Sequence, residues 1–307
     1  MRISTNMIYT LGTNQMSNLQ SQVMTTQEQI SAGTSLLTPA DNPVAAANAM
    51  NVSQQQSLNS QYATNRQAAE SSLNMAGSAL SSMTTLLQSV KSLVISAGDP
   101  GLTASNRNNI ATQVQSDYNS LLALANATDG NGNYLFGGYQ TANPPFVQTT
   151  VNGSPVVQYV GDQGVRQVQI SASEQMNLST SGQAVLQSGG VDIFQALNNL
   201  VGLLNAPATQ TNAQLTTGLT LANDNVTQVL NKTIQASASV GSNLSQLSAM
   251  NTIGSSFDVQ YSQTLSNLQG LNYAQAISTL TEQSTTLQAA QKSFALVDNL
   301  SLFNYIN

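Results

Sequence analysis

Cysteine and histidine are absent from this 307-residue chain. Their absence removes zinc centres built on thiolate or imidazole, disulfides, cysteine nucleophiles and histidine general bases. A chain without cysteine is compatible with export, because it offers nothing to disulfide-forming enzymes. Charge is scarce too: Asp, Glu, Lys and Arg make up 7% of residues, against about 25% in an ordinary globular domain. Thirteen acids and seven bases leave a net charge of −6. No Lys or Arg occurs between Arg2 and Arg66. With no basic patch to neutralise phosphates, nucleic acid is not an expected partner. No stretch approaches the roughly 18 apolar residues of a membrane span, so a membrane is not an expected partner either. The start, Met1-Arg2-Ile3-Ser4-Thr5-Asn6, lacks the apolar core of a cleaved secretory signal, and export is expected by another route.

Ser, Thr, Asn and Gln fill the place of the missing charges and make a neutral, hydrogen-bonding surface. Against it, apolar residues recur with helical periods. Near the C-terminus Tyr273, Leu280, Leu287 and Phe294 repeat as a heptad row, with Ala276, Gln283, Ala290 and Val297 three positions after each and Leu300 and Phe303 beyond. The N-terminus has its own row, Tyr9, Met16, Val23 and Ile30, flanked by Leu19. Both ends read as coiled-coil helices. Their seams are weak: Gln283 stands on one, and Thr26 stands on the other where an apolar residue is expected. Ordering a residue costs about 1–2 kcal/mol of backbone entropy. Such seams are therefore expected to stay disordered alone and to pack against neighbouring copies on assembly.

Between the ends the pattern is stronger. A helix over 3–32 ends at Gly33, and a loop follows to Asn42-Pro43, a cap and first-turn pair. A long helix then runs to about residue 97, where Asp99-Pro100-Gly101 stops it. Its rows are Ala69, Ala76, Met83 and Val90, beside Leu73, Leu80, Leu87 and Val94. Thr103 caps the next helix, to about residue 127, whose stripe is Ile110, Val114, Leu121 and Leu124. Two such helices joined by a tight turn imply an antiparallel rod. Residues 146–187 change to β texture, with a run at 156–160, a Gly161-Asp162 turn and alternation at Val168 and Ile170. Helices return at about 191–204, with Ile193, Phe194, Leu197 and Leu200 on one side, at roughly 210–250, and at the C-terminus. The fold class is mainly α with a small β-rich insertion: a long antiparallel helical rod with terminal coiled-coil helices. The expected domains are a terminal assembly region (1–42 with 260–307), a helical rod (43–140 with 191–259) and a β-rich outer domain (141–190).

Nothing in this pattern points to catalysis. The segment 130–138 is rich in glycine but lacks Gly-Lys-Ser/Thr and follows a helix, which fits a tight turn opening a hairpin. Asp192 suits a helix start. Asp117, on the stripe of its helix, is expected to be half-exposed or paired with Arg66 or Arg107. Neither acid has a second acid or base beside it. No cofactor, metal or catalytic residue is expected.

Three segments carry a resemblance that spans the chain. The first is Met1-Arg2-Ile3-Ser4-Thr5, with Gln27-Glu28-Gln29-Ile30-Ser31-Ala32-Gly33 and Leu37-Thr38-Pro39-Ala40-Asp41-Asn42-Pro43-Val44-Ala45-Ala46. The second is Asp129-Gly130-Asn131-Gly132-Asn133-Tyr134-Leu135-Phe136-Gly137-Gly138-Tyr139, with Pro145-Phe146. The third runs from Ala274-Gln275-Ala276-Ile277 to Leu300-Ser301-Leu302-Phe303-Asn304-Tyr305-Ile306. Together they resemble the flagellar hook-associated protein 3 family, the hook–filament junction proteins of the flagellin superfamily. Flagellin itself, or a secreted helical effector, is the alternative. Asp41-Asn42-Pro43-Val44-Ala45, where flagellins have Asp-Asp-Ala-Ala-Gly, favours the junction family. The chain departs from that family at Thr34, at Ser242 and Asn243, and at Asn272, where charged residues are common. The resemblance implies a structural protein, not an enzyme, exported unfolded through the flagellar type III apparatus. A cytosolic chaperone would hold its C-terminal region. Outside the cell it would form a ring of copies beyond hook-associated protein 1, with its terminal helices in an inner tube, and flagellin would polymerise on that ring.

Overall fold

A computed structural model describes residues 5–151, 154–206 and 211–299. Among the described residues the order is α1 (Thr5–Ala32), α2 (Pro43–Ala97), α3 (Ala104–Ala125), β1 (Phe146–Val151), β2 (Ser154–Tyr159), β3 (Gln167–Ser171), β4 (Glu174–Asn177), α4 (Gly182–Leu186), α5 (Ile193–Leu204), α6 (Asn212–Gln269) and α7 (Tyr273–Asn299). The chain is mainly α with a small β insertion. It divides into two compact units: Met1–Leu58 with Ser255–Asn307, and Asn59–Gly254. In the larger unit the strands share one apolar core with the helices.

Local chemistry sets the helix ends. Asn42 Oδ1 accepts from the Ala45 N–H at 3.1 Å, and Pro43 opens α2 without wasting a donor. Asp99 Oδ1 accepts from the Gly101 N–H at 2.8 Å and turns the chain after α2. Thr103 Oγ1 caps α3 through the Asn106 N–H at 3.2 Å. Asp192 caps α5, accepting from the N–H groups of Phe194 at 2.9 Å and Gln195 at 3.3 Å. Helix α6 runs nineteen residues beyond the expected 250. The interior Gly254 is an isolated glycine with no proline nearby, and an isolated glycine weakens a helix without ending it.

In the larger unit α2 and α6 run antiparallel. A Cβ added at Gly77 would lie 3.3 Å from Val240, and one at Gly98 would lie 3.8 Å from Leu219. The α2 rows Leu73, Leu80, Met83, Leu87, Val90 and Val94, with Val114 and Leu121 of α3, are at most 3% exposed. Ile110 and Leu124 are partly buried against them. Helix α5 adds Ile193, Phe194, Leu197 and Leu200, all buried. An aromatic chain then links helices to strands: Tyr118 meets Phe194 edge-on at 5.7 Å, Phe194 lies 5.5 Å from Phe146, and Phe146 lies 5.2 Å from Tyr159. Asn126, which ends α3, pairs both ways with the Phe146 backbone at 2.9 and 3.0 Å.

The β region is built from two separate hairpins. β1 pairs with β2 and β3 with β4, each as an antiparallel hairpin. The Gly161-Asp162 turn therefore lies between two hairpins. The Asp162 carboxylate is used elsewhere, accepting from the N–H groups of Tyr139 at 2.9 Å and Gly164 at 2.7 Å. Residues 182–186 are helical, within the stretch expected to be β. The turn at 129–133 forms on Asp129 Oδ1, which accepts from the Asn131 and Asn133 N–H groups. It closes with a single Thr128–Tyr134 bridge in place of a hairpin. Asp117 is half-exposed, as expected, and accepts from Gln113 Nε2 at 3.2 Å and from the Ser89 hydroxyl at 3.4 Å.

Two measurements test this packing. Leu80→Ala, at a side chain with no exposed surface, is expected to cost about 2–5 kcal/mol. Ile95→Ala on the same helix, at an exposed position, is expected to cost less than about 0.5 kcal/mol; urea denaturation of the larger unit reads both. The second concerns acid. Burial alone would raise the Asp129 pKa, but hydrogen bonds from the Asn133 side chain and the Asn133 and Asn131 backbone outweigh it and hold the pKa below the usual value. Stability from such a group is present above the ordinary Asp pKa and lost as pH falls through the depressed one. Asp192 has the opposite sign: burial raises its pKa despite the bonds from Gln195, Phe194 and Gln187. Its contribution falls as pH rises from the ordinary Asp pKa through the raised one. Amide resonances of Asn131 and Asn133 are expected to shift in that acid interval, below the range where those of Phe194 and Gln195 move.

Candidate assembly interface

The smaller unit holds α1 and α7, paired antiparallel, with the first turns of α2 and the last of α6. The pairing explains why the terminal rows exist and why they are weak. Tyr9 and Phe294 are in ring contact at 4.9 Å. A Cβ added at Gly12 would lie 2.8 Å from the Phe294 ring, so glycine admits the aromatic at that turn. Further along, the Thr26 hydroxyl donates to Gln283 Oε1 at 2.9 Å. The two polar interruptions of the seams therefore meet each other, and Thr26 is only 7% exposed. At the far end Gly33, with φ of 70°, takes a left-handed conformation that lets the chain leave α1; an added Cβ would lie 2.8 Å from the Tyr273 hydroxyl.

The loop after α1 is fastened to α6. Ser35 N donates to the Gln269 carbonyl at 2.7 Å, and the hydroxyls of Thr34 and Ser35 lie 3.0 and 3.1 Å from the same oxygen. Asn272 caps α7 through the Gln275 N–H at 3.2 Å. Asn243, in the larger unit, donates to the Asn177 carbonyl at 3.2 Å. Thr34, Asn272 and Asn243 are three of the positions where the sequence departs from the charged residues common in the resembling family. Each is occupied by a neutral group with a defined hydrogen bond.

Coverage of the seams is incomplete. Met16, Leu19, Val23, Ile30, Leu280, Leu287 and Phe294 are half-buried, while Tyr9 and Tyr273 are 48% and 51% exposed. Met7, Leu11, Met24 and Ile277 are exposed as well. In these two helices only Thr26 and Ala276 are buried among the residues whose burial is described. The α2 stripe of the larger unit, built from the same residue types, is nearly sealed. Val297 belongs to α7, but its side chain, with Leu300 and Phe303, lies outside the described residues.

The described residues contain no cluster of three His, Cys, Asp or Glu side chains able to hold a metal, and no helix long and apolar enough to cross a membrane. A cavity of about 650 Å³ in the larger unit is lined by Phe136, Asn177, Ser181, Gln187, Asn243 and other neutral groups, with no charged side chain. Acid–base chemistry has no foothold there.

A model of the bacterial flagellin N-terminal helical region matches residues 3–141. Flagellar hook-associated protein 3 of Salmonella typhimurium is 32% identical over 313 residues, covering 99% of each chain. The chain belongs to the flagellar hook-associated protein 3 family. Solved structures share the fold. A putative flagellar hook-associated protein from Vibrio parahaemolyticus superposes with a TM-score of 0.66 at 22% identity, covering 75% of this chain and all of that one. The flagellar junction protein FlgL from Legionella pneumophila does so with 0.62 at 17%, covering 73% of this chain and all of that one.

Within this family member, the sequence marks the apolar rows of α1 and α7 but not that Thr26 and Gln283 satisfy one another. Gly12 was missed as well, although a glycine midway between Tyr9 and Met16 on a helical row was a signal for close approach. A double-mutant cycle tests the polar pair. Thr26→Val alone removes a partner and is expected to cost about 1 kcal/mol, whereas Thr26→Val with Gln283→Leu is expected to be neutral or stabilising. The rate of proteolytic cleavage within α1 and α7, which follows the population of the open form, gives the four values.

Proposed function

We propose that this chain is a structural subunit of the bacterial flagellum, secreted to the hook–filament junction, where copies form a ring on which flagellin polymerises. The observation that carries the reading is the end-to-end relation to hook-associated protein 3 at 32% identity over 99% of the chain. The half-covered seams of α1 and α7 support it. Residues Tyr9, Met16, Leu19, Val23, Ile30, Tyr273, Leu280, Leu287, Phe294 and Val297, with Leu300 and Phe303, would be completed by the same helices of neighbouring copies. Exposed apolar patches on a soluble chain mark sites that other molecules cover. A chain with only 7% charged residues suits packing of like against like, since identical copies bring little charge repulsion. The remaining partners in this reading are hook-associated protein 1 on the hook side, flagellin on the filament side, and a cytosolic export chaperone on the C-terminal region. It needs neither cofactor nor catalytic residue, and its role is architectural.

Removing the gene is expected to leave hooks without filaments, with flagellin appearing in the medium; normal filaments would refute the proposal. Leu280→Asp and Leu287→Asp are expected to leave the larger unit folded, with an unchanged urea midpoint, while abolishing incorporation into flagella. In the purified single chain, α1 and α7 are expected to be cleaved by protease well before any site between residues 59 and 254. Equal resistance throughout would show that the seams need no neighbours.

A further inference from the structure

The larger unit ends at an unusual arrangement. Arg66 on α2 is 3% exposed, and its hydrogen bonds go to neutral oxygens. Nε donates to Asn251 Oδ1 at 2.7 Å and Nη1 to the Ile170 carbonyl at 2.9 Å. Ile170 sits in the bulge of the β3–β4 hairpin, between Gln169 and Ser171, where the strand register shifts. A bulge leaves a residue without its ladder partner, and the Ile170 carbonyl is free for Arg66 while its side chain is fully buried. The neighbouring Gln169 carbonyl accepts from Asn65 Nδ2 at 2.8 Å. On α6, Gly254 makes the space: a Cβ there would lie 2.3 Å from Nη2 and 3.1 Å from Cζ of Arg66. The Gly254 carbonyl in turn accepts from Asn59 Nδ2 at 2.8 Å. Asn59 and Gly254 are the first and last residues of the larger unit.

We infer that Arg66, Asn251, Gly254 and Asn59 form a clasp that fastens α2, α6 and the β3–β4 hairpin together and sets the point at which the cooperative structure of the larger unit stops. The fork of the guanidinium serves this better than any other side chain, since its fixed donors reach two elements at once. A buried charge without a carboxylate partner is stable only while every donor it commits is matched. Loss of one element therefore releases the others, and the clasp opens as a unit. Past it, α2 and α6 are held in the smaller unit by exposed bonds such as Gln56 Nε2 to Asp258 Oδ1 at 3.1 Å and to Ser262 at 3.2 Å.

Hydrogen exchange read by mass spectrometry on the full chain tests this, because local opening is resolved segment by segment. In the natural chain, protection is expected to step up at residue 59 on α2 and to step down after 254 on α6. Arg66→Met is expected to lower protection of residues 59–70, 167–177 and 245–254 by tenfold or more, since it leaves the buried Ile170 carbonyl and the half-buried Asn251 amide oxygen unpaired, with the segment around Leu121 unchanged. A matched pair on one helix removes the ambiguity of a poorly folded variant. Gly254→Ala is expected to give the same footprint by pushing the guanidinium out. Gly241→Ala, where an added Cβ meets nothing within 4 Å, is expected to raise protection about two- to fivefold, as alanine does in an open helical site. The inference is overturned if Gly254→Ala behaves like Gly241→Ala. It is equally overturned if Arg66→Met leaves the hairpin protected, or lowers protection evenly across the larger unit.

Discussion

The burial of one apolar stripe on α2 is the constraint on which the larger unit depends. From Leu73 to Val94 it gives α3, α5 and α6 a common surface, and the aromatic chain from Tyr118 through Phe194 and Phe146 to Tyr159 extends that surface to β1 and β2. A nearly sealed stripe supplies its own driving force at about 25 cal/mol per Å² of apolar surface removed from water. It needs nothing from outside the chain. The β insertion thereby shares its apolar core with the helices.

The terminal helices follow the same periodicity to a different end. Two helices can cover only one side of each seam, and here they leave Tyr9 and Tyr273 about half exposed. Thr26 and Gln283 lower the apolar gain further while satisfying each other at 2.9 Å. The pair is thus cheap to open and has surface left to offer. That combination suits a subunit whose ends are completed by copies of itself, and it fits the membership of the chain in the hook-associated protein 3 family. The polar pair also fixes which turn of α1 faces which turn of α7, because sliding by one turn would bury an amide without a partner.

Much of the fold was legible because its signals are local. Asn42-Pro43, Asp99-Pro100-Gly101, Thr103 and Asp192 each act within a few residues, and each helix start or stop they imply is present. The heptad rows and the α2 stripe were legible for a related reason, since a helix repeats its face at a fixed spacing. The candidate seam was readable as residues, but not as a partnership between Thr26 and Gln283. Strand pairing was not legible: the Gly161-Asp162 turn lies between two hairpins, and the Asp162 carboxylate holds the Tyr139 and Gly164 N–H groups. The carbonyl partners of Arg66 were equally invisible, since neutral backbone oxygens leave no mark in a sequence.

By itself, then, the sequence determined the periodicities, the caps, the scarcity of charge and the absence of cysteine and histidine. Those properties are carried by single residues and their near neighbours. Only the tertiary structure decided which apolar rows are sealed and which are left half open, which hairpins form, and where Arg66 finds its oxygens. For Arg66, and for Thr26 with Gln283, the partners lie more than a hundred positions apart, where the three-dimensional path of the backbone, not spacing along the chain, selects the partner.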